Sequence, residues 1–249
     1  MIRGFYAARS GVLGQQQNMN TIANNFANIG TMGYKPQQAA FSTLLYAKIH
    51  GGAARPDEAN RLRPPYDLIT VDTGHGSRVE HTPVNYAQGG LATTGVPTDM
   101  AIIGEGFFAV MGGEDGEILY TRDGQFHYSV DGESRYLVDA GGRYVLDAGG
   151  AEIVLKDGAE ITPGKVGVFK FPNRNGMSLL GSNRLAATEA SGEAEAVEHA
   201  NVRAGVLERS GVDTAAEVVR MIESQRAFSL NTRVLTTIDE MDDVANQMR

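Results

Sequence analysis

Apolar residues at Phe5, Ala8, Val12, Met19, Ile22 and Phe26, with Gln15 in register, recur at alternating three- and four-residue spacing. That spacing lays one narrow stripe along an α-helix and predicts a helix over Met1–Ile29. The opposite face carries Arg9, Gln16, Asn20 and Asn24, and Gly30 follows as a stop signal. A second, broader stripe of Val218, Met221, Ile222, Phe228, Leu235, Ile238, Met241, Val244 and Met248 predicts a C-terminal helix. Asp213 or Thr214 caps its start and Glu217 suits its first turn. At about 30 residues this helix is long for a globular domain. Neither helix buries its stripe alone. They pair with each other or with neighbouring molecules, or they pack on the region between them.

That region, Gly30–Leu207, holds nearly all the glycine and every proline, and it reads as strands. Met100–Val110 is apolar and rich in β-formers, and Ile118–Thr121, Gln125–Val130, Tyr136–Val138 and Tyr144–Leu146 follow at short intervals. Asp-Gly and Gly-Gly pairs between them predict antiparallel turns. Leu137–Gly142 recurs as Val145–Gly150, a local repeat within a meander of short strands. Gly51–Tyr66 is polar, contains Pro56, Pro64 and Pro65, and reads as a linker or extended arm. Ala187–Ala200 reads as a mobile connection. The fold class expected is α+β.

Composition narrows the function. With 249 residues the chain is long enough to bury a core. Its 22 Lys+Arg against 30 Asp+Glu give a net charge of −8, which argues against a general binder of nucleic acid or anionic membrane. The chain has no cysteine, so disulfides and thiolate chemistry are excluded. No apolar run approaches the roughly 18 residues of a membrane helix. The N-terminus has no apolar stretch ahead of a small-residue cleavage site, so a cytoplasmic protein or one exported through a dedicated channel is expected.

Catalytic patterns are sparse. His50, His75, His81, His127 and His199 form no HExxH and no helical pair. Gly104-Glu105-Gly106 lacks the third glycine of a dinucleotide loop and lies in a strand pattern, so it reads as a bulge or bend. Asp131, Asp139, Asp147 and Asp157 are too widely spaced for a calcium loop and suit turns instead. No cofactor or metal is expected. A hydrolase would need a carboxylate pair in a cleft, and Glu105 with Asp123 is the pair on offer. Asn18, Asn20, Asn24, Asn25 and Asn28 crowd one helix; buried asparagines of this kind fix register and partner choice between helices.

Ile22–Lys35, with its Ala-Asn-Asn-Phe-Ala-Asn helix end followed by Thr31-Met-Gly-Tyr-Lys35, resembles the N-terminal motif of the bacterial flagellar rod and hook proteins. Asp99–Phe108 with Tyr120-Thr-Arg-Asp-Gly124 and Phe126 resembles the β-domain motif of that family. Gly205-x-Leu-Glu-x-Ser210, then Met221-Ile-x-x-Gln-Arg-Ala-Phe228, Asn231 and Asp239-Glu-Met241, is similar to its C-terminal helix. The matches occur in family order. Gln15–Met19 and Phe41-x-x-Leu-Leu-Tyr46 look most like distal-rod members, while the chain's length and its ending at Asp242–Arg249 leave a proximal-rod paralogue open.

The resemblance implies a structural rod subunit that is not an enzyme. It would be exported by the flagellar type III apparatus without a cleaved signal and would partner itself, other rod proteins and the hook protein. Residues 1–45 with 206–249 would form a coiled-coil-like axial domain, 46–84 a connecting arm and 85–205 the β-rich domain. Candidate interaction residues are Phe5, Val12, Met19, Ile22 and Phe26 on the first helix, with Asn24, Asn25 and Asn28 bonding between helices or subunits. Gly33 and Tyr34 would form a tight turn. Met221, Ile222, Phe228, Leu235, Ile238 and Met241 would complete the axial packing, with Gln225 and Arg226 as polar contacts. The alternative from another class is an envelope binding module with no filament role.

Overall fold

Two long helices bracket a chain of short strands. The structure, a computed structural model, describes residues 2–50, 70–112, 116–132, 134–155 and 161–248. Helix α1 spans Ile2–Ala27 and helix α2 spans Thr214–Gln247. The α+β class therefore holds, with helices at both ends and a mainly antiparallel centre. Asp213 caps α2, its Oδ1 accepting from the N–H groups of Ala215 and Ala216 at 3.0 and 3.2 Å. The linker expected over Gly51–Tyr66 lies outside the described residues.

The chain divides into two compact units, and the division falls inside both helices. The first unit comprises 1–23, 38–82 and 218–249. In it, Ala40–Thr43 pairs with Ser77–His81 and Ala47–His50 pairs with Thr70–Thr73, both antiparallel. The helices meet in antiparallel sense. Gly4 faces the Ile238 side chain, Gly11 faces Asn231, and Ser224 Oγ donates to Gln15 Oε1 at 3.0 Å. The contacting positions on α1 are thus one residue off the apolar stripe at alternate steps. Small residues bring the helices together there, and the larger Phe5 is left exposed on the flank.

The second unit comprises 24–37 and 83–217. Its main sheet has six antiparallel strands in the order Ser178–Gly181, Arg184–Ala186, Ile118–Thr121, Phe107–Met111, Val168–Lys170, Glu195–Ala196. A three-stranded sheet of Val154–Leu155, Ser134–Val138 and His127–Asp131 lies beside two strand pairs, Met100–Ile102 with Val202–Ala204 and Leu91–Thr93 with Val206–Glu208. Phe107–Met111 is covered on both faces. Phe108 and Val110 enter one core with Phe126, Leu137 and Val145, while Phe107 and Ala109 enter another with Tyr120, Leu146 and Phe171. Burial on both faces explains why this stretch reads as an unbroken apolar run instead of alternating.

One sequence expectation holds here and one changes. The bend read at Gly104-Glu105-Gly106 divides the run Met100–Val110 into two strands, with Gly104 and Gly106 at φ of +105° and +136°, a region that side chains avoid. Ala187–Ala200, by contrast, is not a loose connection. Ser191 is fully buried, its hydroxyl donating to Thr188 O at 2.8 Å, and Glu195–Ala196 adds an edge strand to the main sheet. The local repeat is one turn used twice: Asp139 Oδ1 accepts from Gly141 and Arg143 N–H, and Asp147 Oδ1 accepts from Gly149 and Ala151 N–H.

Candidate functional site

Three segments far apart in sequence meet inside the second unit: the loop Thr31–Lys35, the turn Thr121–Gly124 and the strand Val206–Glu208. Glu208 is the pivot. Its Oε1 lies 2.6 Å from Lys35 Nζ and accepts the Gly89 N–H at 2.7 Å, while its Oε2 accepts from Arg122 Nε at 2.7 Å. All three side chains are almost fully buried. Lys35 also donates to Ala87 O at 2.7 Å, and the Arg122 guanidinium donates to the carbonyls of Gly104 and Gly106. Two cations and one carboxylate leave the cluster with one excess positive charge, so backbone carbonyls must stabilise what Glu208 does not.

The titration of these groups follows from that arrangement. Burial alone would raise the Glu208 carboxyl, yet hydrogen bonds from Lys35 and Arg122 hold it below its ordinary value. Burial pulls the Lys35 ammonium down, against the opposing bond to Glu208. Close by in sequence, burial raises the Asp123 carboxyl, and Asp139 and Asp99 add to the effect.

Asn25 forms a second hub. Its amide Nδ2 donates to Gln37 O at 2.8 Å and to Glu217 Oε1 at 3.3 Å. Its Oδ1 accepts from Gln37 N–H at 3.0 Å and from the Tyr34 hydroxyl at 3.2 Å. Both donors and both acceptor positions are used, which is the condition under which an amide is tolerated at 1% exposure. Burial, and then the Glu217 charge, raises the Tyr34 phenol. Between the hubs Gly33 turns at φ +67°, its N–H bonded to Glu208 O at 2.7 Å. A Cβ at Gly33 would lie 2.5 Å from Arg122 O, so the loop can seat on the β body only with glycine there.

The other predicted residues scatter more widely. Ile22 is buried, and Val12, Met19, Phe26 and Asn28 are partly so. Asn24 is exposed, its backbone O and Oδ1 accepting from Asn28 Nδ2 at 2.8 and 3.1 Å. On α2, Met221, Phe228, Leu235 and Ile238 are partly buried, whereas Ile222, Gln225, Arg226 and Met241 are exposed. Lys35, Arg122 and Glu208 lie within the three motifs, and no spacing pattern marks them there. The available signal was a lone charge ending an apolar strand, as in Val206-Leu-Glu208. Glu105, one of the two carboxylates considered for hydrolysis, instead pairs with Arg174 at 3.2 Å on the surface. The other, Asp123, accepts the Gln125 N–H at 3.0 Å through Oδ1.

Three family models match the chain in order. They are a flagella basal body rod protein model over 5–35, a flagellar hook protein FlgE/F/G D1 domain over 101–169, and a flagellar basal body rod FlgEFG protein C-terminal model over 203–248. Each match includes one hub residue or more: Asn25 and Lys35 in the first, Arg122 in the second, Glu208 and Glu217 in the third. The flagellar basal-body rod protein FlgG of Borreliella burgdorferi is 34% identical across 100% of this chain and 99% of its own length. That of Agrobacterium fabrum is 32% identical, with 99% of each covered. The flagellar hook protein FlgE of Treponema pallidum is 31% identical over 49% of this chain and 25% of its own.

Proposed function

The chain belongs to the flagellar basal-body rod protein family, and from that premise we propose how it is built to polymerise. Its relatives are structural rod proteins, and this chain is a structural subunit of the rod rather than a member of an enzyme family. Its place is the flagellar basal body. Among the described residues no helix is long and apolar enough to cross a membrane.

In this reading α1 and α2 pair as a coiled-coil-like axial domain, and the β body carries the outer contacts. The partners are further copies of the chain, together with other rod proteins and the hook protein. Delivery is through the flagellar export apparatus without a cleaved signal, and the position is the distal rod. A head-to-tail contact that does not close on itself generates a helical polymer.

The observation that carries the reading is on α2. One face turns Ser224, Asn231 and Ile238 toward α1, while Leu230, Val234, Met241, Val244 and Met248 stay exposed. These exposed residues recur at three-, four- and seven-residue spacing, which forms a second stripe able to take another helix. A helix bearing two stripes suits an assembly in which each helix has several neighbours. Phe5, Val12, Met19 and Phe26 on α1 serve the same purpose. Before assembly such helices have little to bury against, so they order when subunits add.

Electron microscopy of basal bodies from a strain lacking this gene tests the role. Rods missing or cut short at the hook-proximal end support it and the distal position. Truncation nearer the membrane would move the subunit to the proximal rod, and intact rods bearing hooks would overturn the reading.

A further inference from the structure

The base of each terminal helix is held differently from the rest of it. The last turn of α1 and the first turn of α2 belong to the second unit, because the division falls between 23 and 24 and between 217 and 218. In that last turn Asn25 is 1% exposed and bonded at all four amide positions. In that first turn Glu217 is 2% exposed, its N–H bonds to Asp213 O at 2.9 Å, and Asp213 caps the helix. The two turns are joined to one another by the bond from Asn25 to Glu217. The loop following α1 is fastened to the β body by Gly33 N–H to Glu208 O, Gly211 N–H to Tyr34 O, and the Lys35–Glu208 ion pair.

Beyond these turns burial thins out. On α1 the buried apolar side chains among the described residues before Asn24 are Ala8 and Ile22. On α2 past Glu217 the buried side chain is Ser224. Leu13, Val219, Leu230 and Val234 are all about half exposed or more. Such lengths of helix have low local stability.

We propose that in the free subunit the helix bases are already folded and act as seeds from which α1 and α2 grow when a neighbour arrives. This rests on the reading that the outer helices order on assembly. Starting a helix de novo carries a nucleation factor of about 10⁻³, because three residues must be fixed for one hydrogen bond. A turn whose backbone is already fixed by the Asn25 hub removes that step. Growth then proceeds along both helices from these turns, from the C-terminal end of α1 toward its start and from the N-terminal end of α2 toward its end. The bond between the two bases also sets which residues of the helices face each other, before either has grown.

Hydrogen exchange on the full-length monomer, read by peptide, tests this. The expected result is protection at 24–37 and 207–217 equal to that of the Phe107–Met111 strand, with rapid exchange over 4–20 and 225–246. Rapid exchange in all four terminal stretches would overturn the seeds and leave ordering on assembly intact. Protection in all four would remove ordering on assembly, and the seeds with it.

The Asn25→Asp variant replaces a donor by an oxygen facing Gln37 O and Glu217. It should lose protection at 24–37 while the Phe107–Met111 strand keeps it, and its polymerisation lag should lengthen roughly tenfold or more. Tyr34→Phe, which removes one bond of the hub, should lengthen the lag less, and Gln17→Ala, on the exposed face of α1, not at all. An unchanged lag in an Asn25→Asp subunit whose 24–37 exchange has become rapid would refute the seeding step. An unchanged 24–37 exchange in that variant would show that the hub does not hold the base, with the same consequence.

Discussion

Lys35 Nζ sits 2.6 Å from Glu208 Oε1 although 173 residues separate them in the chain. The contact closes the β body on itself, because the loop after the first helix and the strand before the last are held at one carboxylate. Arg122, from the middle of the chain, supplies the second cation at 2.7 Å.

Charge counting within this cluster predicts an order of damage. Glu208→Gln leaves two buried cations without their shared counter-ion and should cost about 3–5 kcal/mol. Arg122→Met keeps a neutral Lys35–Glu208 pair but strips donors from the Gly104 and Gly106 carbonyls, and should fall close behind. Lys35→Met leaves a neutral Arg122–Glu208 pair and should be the mildest, within about 2 kcal/mol. Urea unfolding of the three full-length variants measures the order. A Lys35→Met protein less stable than Glu208→Gln would show that the excess charge is not what governs the cluster.

The pH dependence of stability should carry two opposed contributions. Glu208 has its carboxyl depressed in the folded state. It therefore stabilises at pH above the unfolded carboxylate value of about 4.3, and that stabilisation is lost as pH falls through the folded value. Asp123 is raised, so the native state holds its proton longer than the unfolded chain does. Stability then declines as pH rises from the ordinary aspartate range through the raised value. Thermal melts from pH 3 to 8 should show Glu208→Gln with a flatter acid limb than the parent. Asp123→Asn should melt higher than the parent at neutral pH, since an amide oxygen can still accept the Gln125 N–H.

Gly33 offers a test that does not touch charge. Its positive φ disfavours any side chain, at about 1–3 kcal/mol, and a Cβ would strike the Arg122 carbonyl at 2.5 Å. Gly33→Ala should destabilise the β body by at least that amount, and swimming in soft agar should fall with it. Gly30→Ala, where a Cβ meets nothing within 4 Å, is the matched control and should swim normally.

Some of this was legible in the sequence. Both helices, a cap at Asp213 or Thr214 and the short antiparallel strands follow from spacing and turn residues alone, because those signals are local. The contacting face of α1 was legible only in part: Ala8, Gln15 and Ile22 of the stripe are buried or in contact, but the close approaches at Gly4 and Gly11 lie beside it. Periodicity weighs apolar side chains, and Gly4, Gly11 and Gln15 make their contacts through smallness or polarity. The bend at Gly104-Glu105-Gly106 was legible too, although the flanking strands show no alternation because Phe107–Met111 is buried on both faces. Asn25 stood out as one of five crowded asparagines, but nothing local distinguishes it from Asn24 beside it. One is buried and fully bonded and the other exposed, and that difference comes from Gln37 and Glu217, which are distant in sequence. The ion cluster was hidden for the same reason: its three members fall in three motifs, and only the fold shows that they share one carboxylate.

The exposed stripe of α2 separates assembly from folding. Leu230 is 61% exposed and Val234 is 49% exposed, so replacing either by glutamate should change the stability of the monomer by no more than about 0.5 kcal/mol. In a packed helix–helix seam the same change buries an unpaired carboxylate, which is costly. The expected phenotype of Leu230→Glu or Val234→Glu is a subunit with parental unfolding midpoint that fails to enter rods, scored by immunoblot of purified basal bodies and by loss of swimming. Glutamate at Thr232, exposed but off the stripe, should be incorporated normally. Normal rods from the Leu230→Glu strain would place the subunit contacts elsewhere on the molecule and would leave the second stripe of α2 without a role.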